Sequence, residues 1–146
     1  MLGKPIVEER FIYKGYPCVV LFQPLAFRTG YVGLPKTSKY YKENYSCIPI
    51  SCHGGLTYGR NYLFGQNDEE TWWIGFDCAH YGDGYDNKAA KEYYKNDKAA
   101  MKQLQKLKDL HDMSNGYWEF RTLDYVKRDC KFIVDQIIEL EEGEQQ

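Results

Sequence analysis

The last part of the chain carries the pattern that most limits its fold. Leu123, Val126, Cys130, Ile133, Ile137 and Leu140 follow one another at intervals of 3, 4, 3, 4 and 3 residues. That period puts all of them on one stripe of an α-helix over about residues 122–141. Thr122 is a suitable N-cap, and Asp124 in the first turn suits the helix dipole. A one-sided stripe needs a surface to cover it. A coiled-coil seam fits the spacing, but the flanking charges lack the complementarity that would pair two such helices. The helix is therefore expected to pack on a sheet of its own chain.

The rest of the sequence supplies that sheet. "FIYKGYPCVVLFQ" (11–23) reads as a hairpin broken at Gly15 and Pro17. "GYVGLP" (30–35) reads as a short strand cut off by Gly33 and Pro35. "CIPISCHGGLTYG" (47–59) begins as an edge strand bearing Pro49, then meets Gly54 and Gly55. "TWWIGFDC" (71–78) is the strongest strand, and its near-continuous apolar character suits a central position buried on both faces. Residues 36–45 and 61–70 read as loops. Residues 87–112 are rich in Ala, Lys, Gln and Leu and read as a helical insertion, with Leu104, Leu107 and Leu110 as a modest stripe ended by "SNG" (114–116). The expected fold is α+β: one domain over 1–146, with an antiparallel or mixed sheet packed against the C-terminal helix.

Composition narrows the function classes. The formal net charge of -2 argues against an extended nucleic-acid surface, which needs an excess of Lys and Arg on one face. Fourteen Tyr, seven Phe and three Trp supply many rings with polar tips, suited to half-buried sheets, stacking pockets and interfaces. The five cysteines contain no CxxC, so a structural zinc knuckle is not expected; a Cys47–Cys52 disulfide stays open. "MLGKPIVEER" has no signal-peptide pattern and no apolar run approaches membrane-spanning length. A cytoplasmic protein with free thiols and no membrane partner is expected.

Two polar clusters flank the strongest strand: His53, Thr57 and Tyr58 in "CHGGLTYG", and Asp77, Cys78, His80 and Asp83 in "FDCAHYGD". If the strands ending near 52 and 76 are neighbours, both clusters meet at one end of the sheet, where binding sites are common. His53, Asp77, His80 and Asp83 are the residue types for proton transfer, and with Cys78 for metal ligation. Asp77, His80 and Asp83 are spaced by three, which no recognised metal signature uses. Strand alternation turns Cys78 away from Asp77, into the core, against a nucleophilic role. Trp72, Trp73, Tyr58, Tyr81 and Tyr85 offer stacking surface beside these groups. Arg28 and Arg60 are candidate partners for a phosphate. Gly75, between Trp73 and Asp77, would leave a gap one side chain wide, walled by His53, for a ligand or another backbone.

The motifs "GYV" (30–32), "HGGLT" (53–57), "WWIGFDCAHYGD" (72–83) and "TLDYV" (122–126) resemble those of a widespread family of small proteins encoded by bacteriophages, prophages and bacterial genomes. The resemblance implies a phage-associated setting, hence the host cytoplasm, and no particular chemistry.

The leading expectation is an accessory protein that binds a small anionic or nucleotide-like ligand through Thr57, Tyr58, Trp73, Arg28 and Arg60, with counter-defence by sequestering a host signal as one such role. A small hydrolase using His53, Asp77, His80 and Asp83, with or without a metal, is the rival. A third class is a protein that inhibits host machinery through the tyrosine-rich loop 40–45 and the insertion.

Overall fold

A computed structural model describes residues 4–80, 82–110 and 119–143 in full, and 111–113 as helical backbone. The expected helix end at 114–116 and the ring of Tyr81 lie outside the described residues. Strands β1 (Ile6–Tyr13), β2 (Tyr16–Phe22), β3 (Arg28–Pro35), β4 (Tyr58–Arg60) and β7 (Thr71–Asp77) form one sheet in the order β1-β2-β3-β7-β4. Every neighbouring pair is antiparallel. The short strands β5 (Tyr62–Leu63) and β6 (Gln66–Asn67) make a separate hairpin. The helices are α1 (Asn87–Tyr93), α2 (Lys98–Met113) and α3 (Leu123–Gly143).

Local chemistry explains the first turn. Tyr13 pairs with Tyr16, leaving Lys14 and Gly15 as a two-residue loop with φ of 49° and 86°. Positive φ at both positions matches the right-handed twist of the flanking strands. β3 starts earlier than expected, at Arg28, because residues 28–32 pair with β2 on one side and residues 29–35 with β7 on the other. β7 is an interior strand, which is why its sequence is apolar on both faces.

α3 covers one face of the sheet. Thr122 caps it: its hydroxyl accepts from the Tyr125 amide and its carbonyl from the Val126 amide. Val126, Cys130, Ile133, Val134 and Ile137 are fully buried against Val20, Val32, Leu34, Ile74 and Phe76. The other face buries Val19, Leu21, Tyr31 and Trp73, and Leu63 of the β5–β6 hairpin caps them. Alternation along β7 thus sends Ile74, Phe76 and Cys78 under α3, with Trp72 packed beside them, and Trp73 to the opposite face.

Three local expectations change. Residues 47–57 are not a strand. After a 3₁₀ turn at Tyr45–Cys47 the backbone is strapped to α3 by side chains. The Gln136 amide group bonds both the N–H and the C=O of Ser51 at 2.7 Å, and Asp129 accepts from the His53 amide at 2.6 Å. Pro49 offers no N–H, and these bonds leave no ladder to form. Residues 62–67, expected as loop, form the small hairpin. The insertion is two helices, capped by the carboxylates of Asp86 and Asp97, which accept from the amides of Ala89 and Ala100. Ala90, Tyr94, Ala100 and Leu104 pack on Phe22 and Ala26 at the end of β2. Leu110 is 61% exposed, so the leucine stripe is only partly used. Among the described residues no helix is long and apolar enough to cross a membrane.

Ile133→Ala empties a fully buried position beneath α3. Urea denaturation is expected to show a loss of about 3 kcal/mol, whereas Leu110→Ala should change stability by less than about 0.5 kcal/mol.

Candidate functional site

The polar motif divides between the two faces of the sheet. On the α3 side, Asp83 is the centre. Its side chain is 2% exposed. It accepts from His53 Nε2 at 2.8 Å, from the His80 amide at 3.0 Å and from Arg121 Nε at 3.0 Å. Arg121 arrives because Glu119 pairs with the backbone of Gly82 and Gly84, a parallel bridge between the loop and the start of α3. The other nitrogen of His53, Nδ1, lies 2.8 Å from the Tyr125 hydroxyl, and the Arg121 guanidinium sits 5.0 Å over the Tyr125 ring. A carboxylate only accepts, so His53 Nε2 carries a proton in either charge state. Burial alone would raise the Asp83 pKa; the hydrogen bonds from His53, the His80 amide and Arg121 outweigh it and hold the carboxyl below its ordinary value.

On the opposite face, Asp77 ends β7. Its Oδ1 accepts from the Ala79 amide and its Oδ2 from the Thr57 hydroxyl, both at 3.1 Å. The turn that follows brings His80 back, so that Nε2 lies 3.2 Å from Asp77 Oδ1. The approach is outside hydrogen-bond geometry, and among the described residues this buried nitrogen has no hydrogen-bond partner. Gly54, with φ of +68°, lies directly against the ring: a Cβ there would come 2.1 Å from His80 Nε2. His80 therefore stands between the two groups, its ring centre 5.9 Å from that of His53.

Several site expectations are corrected by this placement. His53 does not wall a gap beside Gly75. Gly75 faces Tyr31 on β3 and Tyr58 on β4 in register, and the Tyr31 ring fills the gap, 2.5 Å from where a Cβ would be. Arg28 is not available to a phosphate. It is 5% exposed; Glu8 takes its Nε and Nη2, and Asp86 and the Arg121 carbonyl take its Nη1. Trp73, at 8% exposure, is packed beneath the far face and offers little ring for stacking. Arg60 is exposed at the end of β4, opposite Trp73 in register. Cys78 lies in the core, where burial pushes its thiol up to about 12, and all five cysteines are free. Among the described residues no group of three or more His, Cys, Asp or Glu side chains is arranged to hold a metal ion.

Thr57 and Tyr58 do line an open space. A cavity of about 410 Å³ is bordered by Gln23, Phe27, Thr29, Tyr31, Thr57, Tyr58 and Asp77. A second, of about 520 Å³, is bordered by Lys4, Leu21, Tyr62, Leu63 and Phe64. Both share Gln23, Tyr31 and Tyr58. The two tyrosine rings meet edge to face at 5.2 Å, and Tyr58 donates to the Tyr62 carbonyl, tying β4 to the hairpin. Thr29 and Tyr31 escaped the sequence reading. Their signal is register: on β3 they pair with Asp77 and Gly75, so all four share one face. No protein-family model, curated protein or solved structure matches this chain.

Asp83→Asn removes a buried charge that three donors converge on, with an expected loss of about 3 kcal/mol in urea denaturation at neutral pH. The pKa of Asp83 is lower folded than unfolded, so its stabilisation is full above the ordinary value of 3.8 and is lost as pH falls from there through the depressed folded value. The wild type should lose stability across that window, and the variant should lose less.

Proposed function

We propose that the protein is a binding module for a small ligand with a flat, apolar body, held in the aromatic groove on the sheet face opposite α3. The observation that carries this reading is the Tyr31–Tyr58 pair, whose rings wall two adjoining cavities and leave Thr29, Thr57 and Asp77 at one end as polar anchors. A concave, mostly aromatic space with a few convergent polar groups is the usual form of a small-molecule site. The nucleotide-like expectation keeps its stacking half here. Its anionic half loses Arg28 and rests on Lys4 at the far end of the groove. In the phage-associated setting that the motifs imply, such a module would act by sequestering a small host signal.

The rival readings draw less support. A hydrolase needs a base with a free nitrogen near an open position. Both ring nitrogens of His53 are engaged, and His80 Nε2 is buried against Gly54. A protein-binding surface on loop 40–45 would need its tyrosines outside. Tyr40 is buried, and Tyr41 packs its ring on Trp72 while donating to the Glu69 carbonyl, which leaves Tyr45, 38% exposed, as the loop's one outward tyrosine.

Calorimetric or NMR titration with nucleosides, nucleotides and aromatic fragments tests the reading. Tyr58→Ala should weaken any ligand found by about tenfold to a hundredfold, the range that one aromatic stacking contact supplies. Lys14→Ala, at the opposite side of the molecule, should leave affinity unchanged. Binding that survives Tyr58→Ala, or a panel with no binder, would sink the proposal.

A further inference from the structure

Resting on that groove reading, we infer that the ligand is an organic cation, and that it sets a positively charged nitrogen against Asp77 between the rings of Phe27, Tyr31 and Tyr58. Among the described residues, Asp77 is the one formally charged side chain bordering its cavity. Its side chain is 30% exposed, enough to meet a ligand and too little to be fully hydrated. Two donors, the Ala79 amide and the Thr57 hydroxyl, hold the carboxylate in place. A carboxylate has about four acceptor positions, so capacity remains on the cavity side.

The described residues bring no lysine or arginine to it. Arg28 is held by Glu8 and Asp86, and Arg121 by Asp83. Arg60 pairs across β4 with Trp73, four residues before Asp77 on β7. His80 is the nearest basic side chain, and its Nε2 approaches at 3.2 Å without hydrogen-bond geometry.

The surrounding rings decide between kinds of cation. Aromatic faces attract a positive charge through their quadrupole, and the effect grows as water is excluded. Tyr31 adds no competing charge, because burial raises its pKa and keeps the phenol neutral. A bare metal ion would need several hard or imidazole ligands, and among the described residues no three are grouped to hold one. An anion would face the Asp77 carboxylate directly. An ammonium, amidinium or guanidinium on a flat or apolar body matches both the carboxylate and the rings, and about 410 Å³ is room for such a head group.

The test uses the full chain and a set of probes that share one phenyl ring: benzyltrimethylammonium and benzamidine as cations, benzyl alcohol as the neutral analogue, and phenylacetate as the anion. The cations are expected to bind tightest. Asp77→Asn, which keeps an acceptor for the Ala79 amide, should weaken the cations by about tenfold or more and leave benzyl alcohol unchanged. Cation affinity should also fall with added salt in the wild type and not in the variant. Tyr58-dependent binding of the alcohol or phenylacetate with no preference for the cations would overturn this inference and leave the groove reading standing. No Tyr58-dependent binding of any probe would overturn this inference, and it would overturn the groove reading too where the nucleosides, nucleotides and aromatic fragments also give no binder.

Discussion

The buried carboxylate of Asp83 sets the terms for everything around it. Removing a charged carboxyl from water costs several kcal/mol, and the cost is met only where donors surround it. Here they come from three separate stretches: His53 from the loop strapped to α3, the His80 amide from the turn after β7, and Arg121 from the entry to α3. Each stretch is irregular backbone that no ladder would hold. The carboxylate joins them, so the loop carrying His53–Thr57, the turn carrying Ala79–His80 and the entry to α3 are fixed together. Thr57, which steadies Asp77 on the opposite face, belongs to the first of these loops. The groove is thus positioned by a charge it does not contain.

Parity then divides the motif. Successive side chains of a strand point to opposite faces, and β7 is buried on both. Asp77 follows Gly75 and Trp73 to the face opposite α3, and Cys78 follows Ile74 and Phe76 beneath α3. Three polar residues that lie within seven positions of sequence, Asp77, His80 and Asp83, therefore serve two different environments. His53–Asp83 is saturated and acts as a staple. Asp77 is anchored but not saturated, and it borders open space. Chemical similarity between the two His–Asp pairs conceals this difference in use.

What was legible in the sequence follows the range of the interactions involved. The α3 stripe is a local period, and Val126, Cys130, Ile133 and Ile137 are buried as that period requires. The central place of β7 is also local, since a strand covered on both faces cannot afford polar residues on either. The alternation of Trp73 and Asp77 against Trp72, Ile74 and Cys78 needs only the two-residue repeat. The failures lie where partners are distant along the chain. Residues 47–53 begin with a strand-like composition, yet Gln136 and Asp129, some eighty positions later, take the backbone groups of Ser51 and His53. Arg28 looks like a free cation until Glu8 and Asp86 arrive from both directions. The gap at Gly75 looks vacant until the register places Tyr31 beside it. Periodicity reports which way a side chain points. It does not report what a neighbouring strand or helix brings to meet it.

Gly54 is where the two faces touch. Its left-handed backbone suits glycine, and the His80 ring occupies the space where any other residue would carry its Cβ. The contact holds His80 close to Asp77 on one side while the His80 amide bonds Asp83 on the other. A displacement of the 53–57 loop would therefore reach Asp77 by two routes: through Thr57, which donates to its Oδ2, and through His80, which stands 3.2 Å from its Oδ1. Both routes run through short, packed contacts and not through a flexible tether. The Asp77 carboxylate is consequently tied to the staple beneath α3, and its placement depends on a cluster on the other face of the sheet.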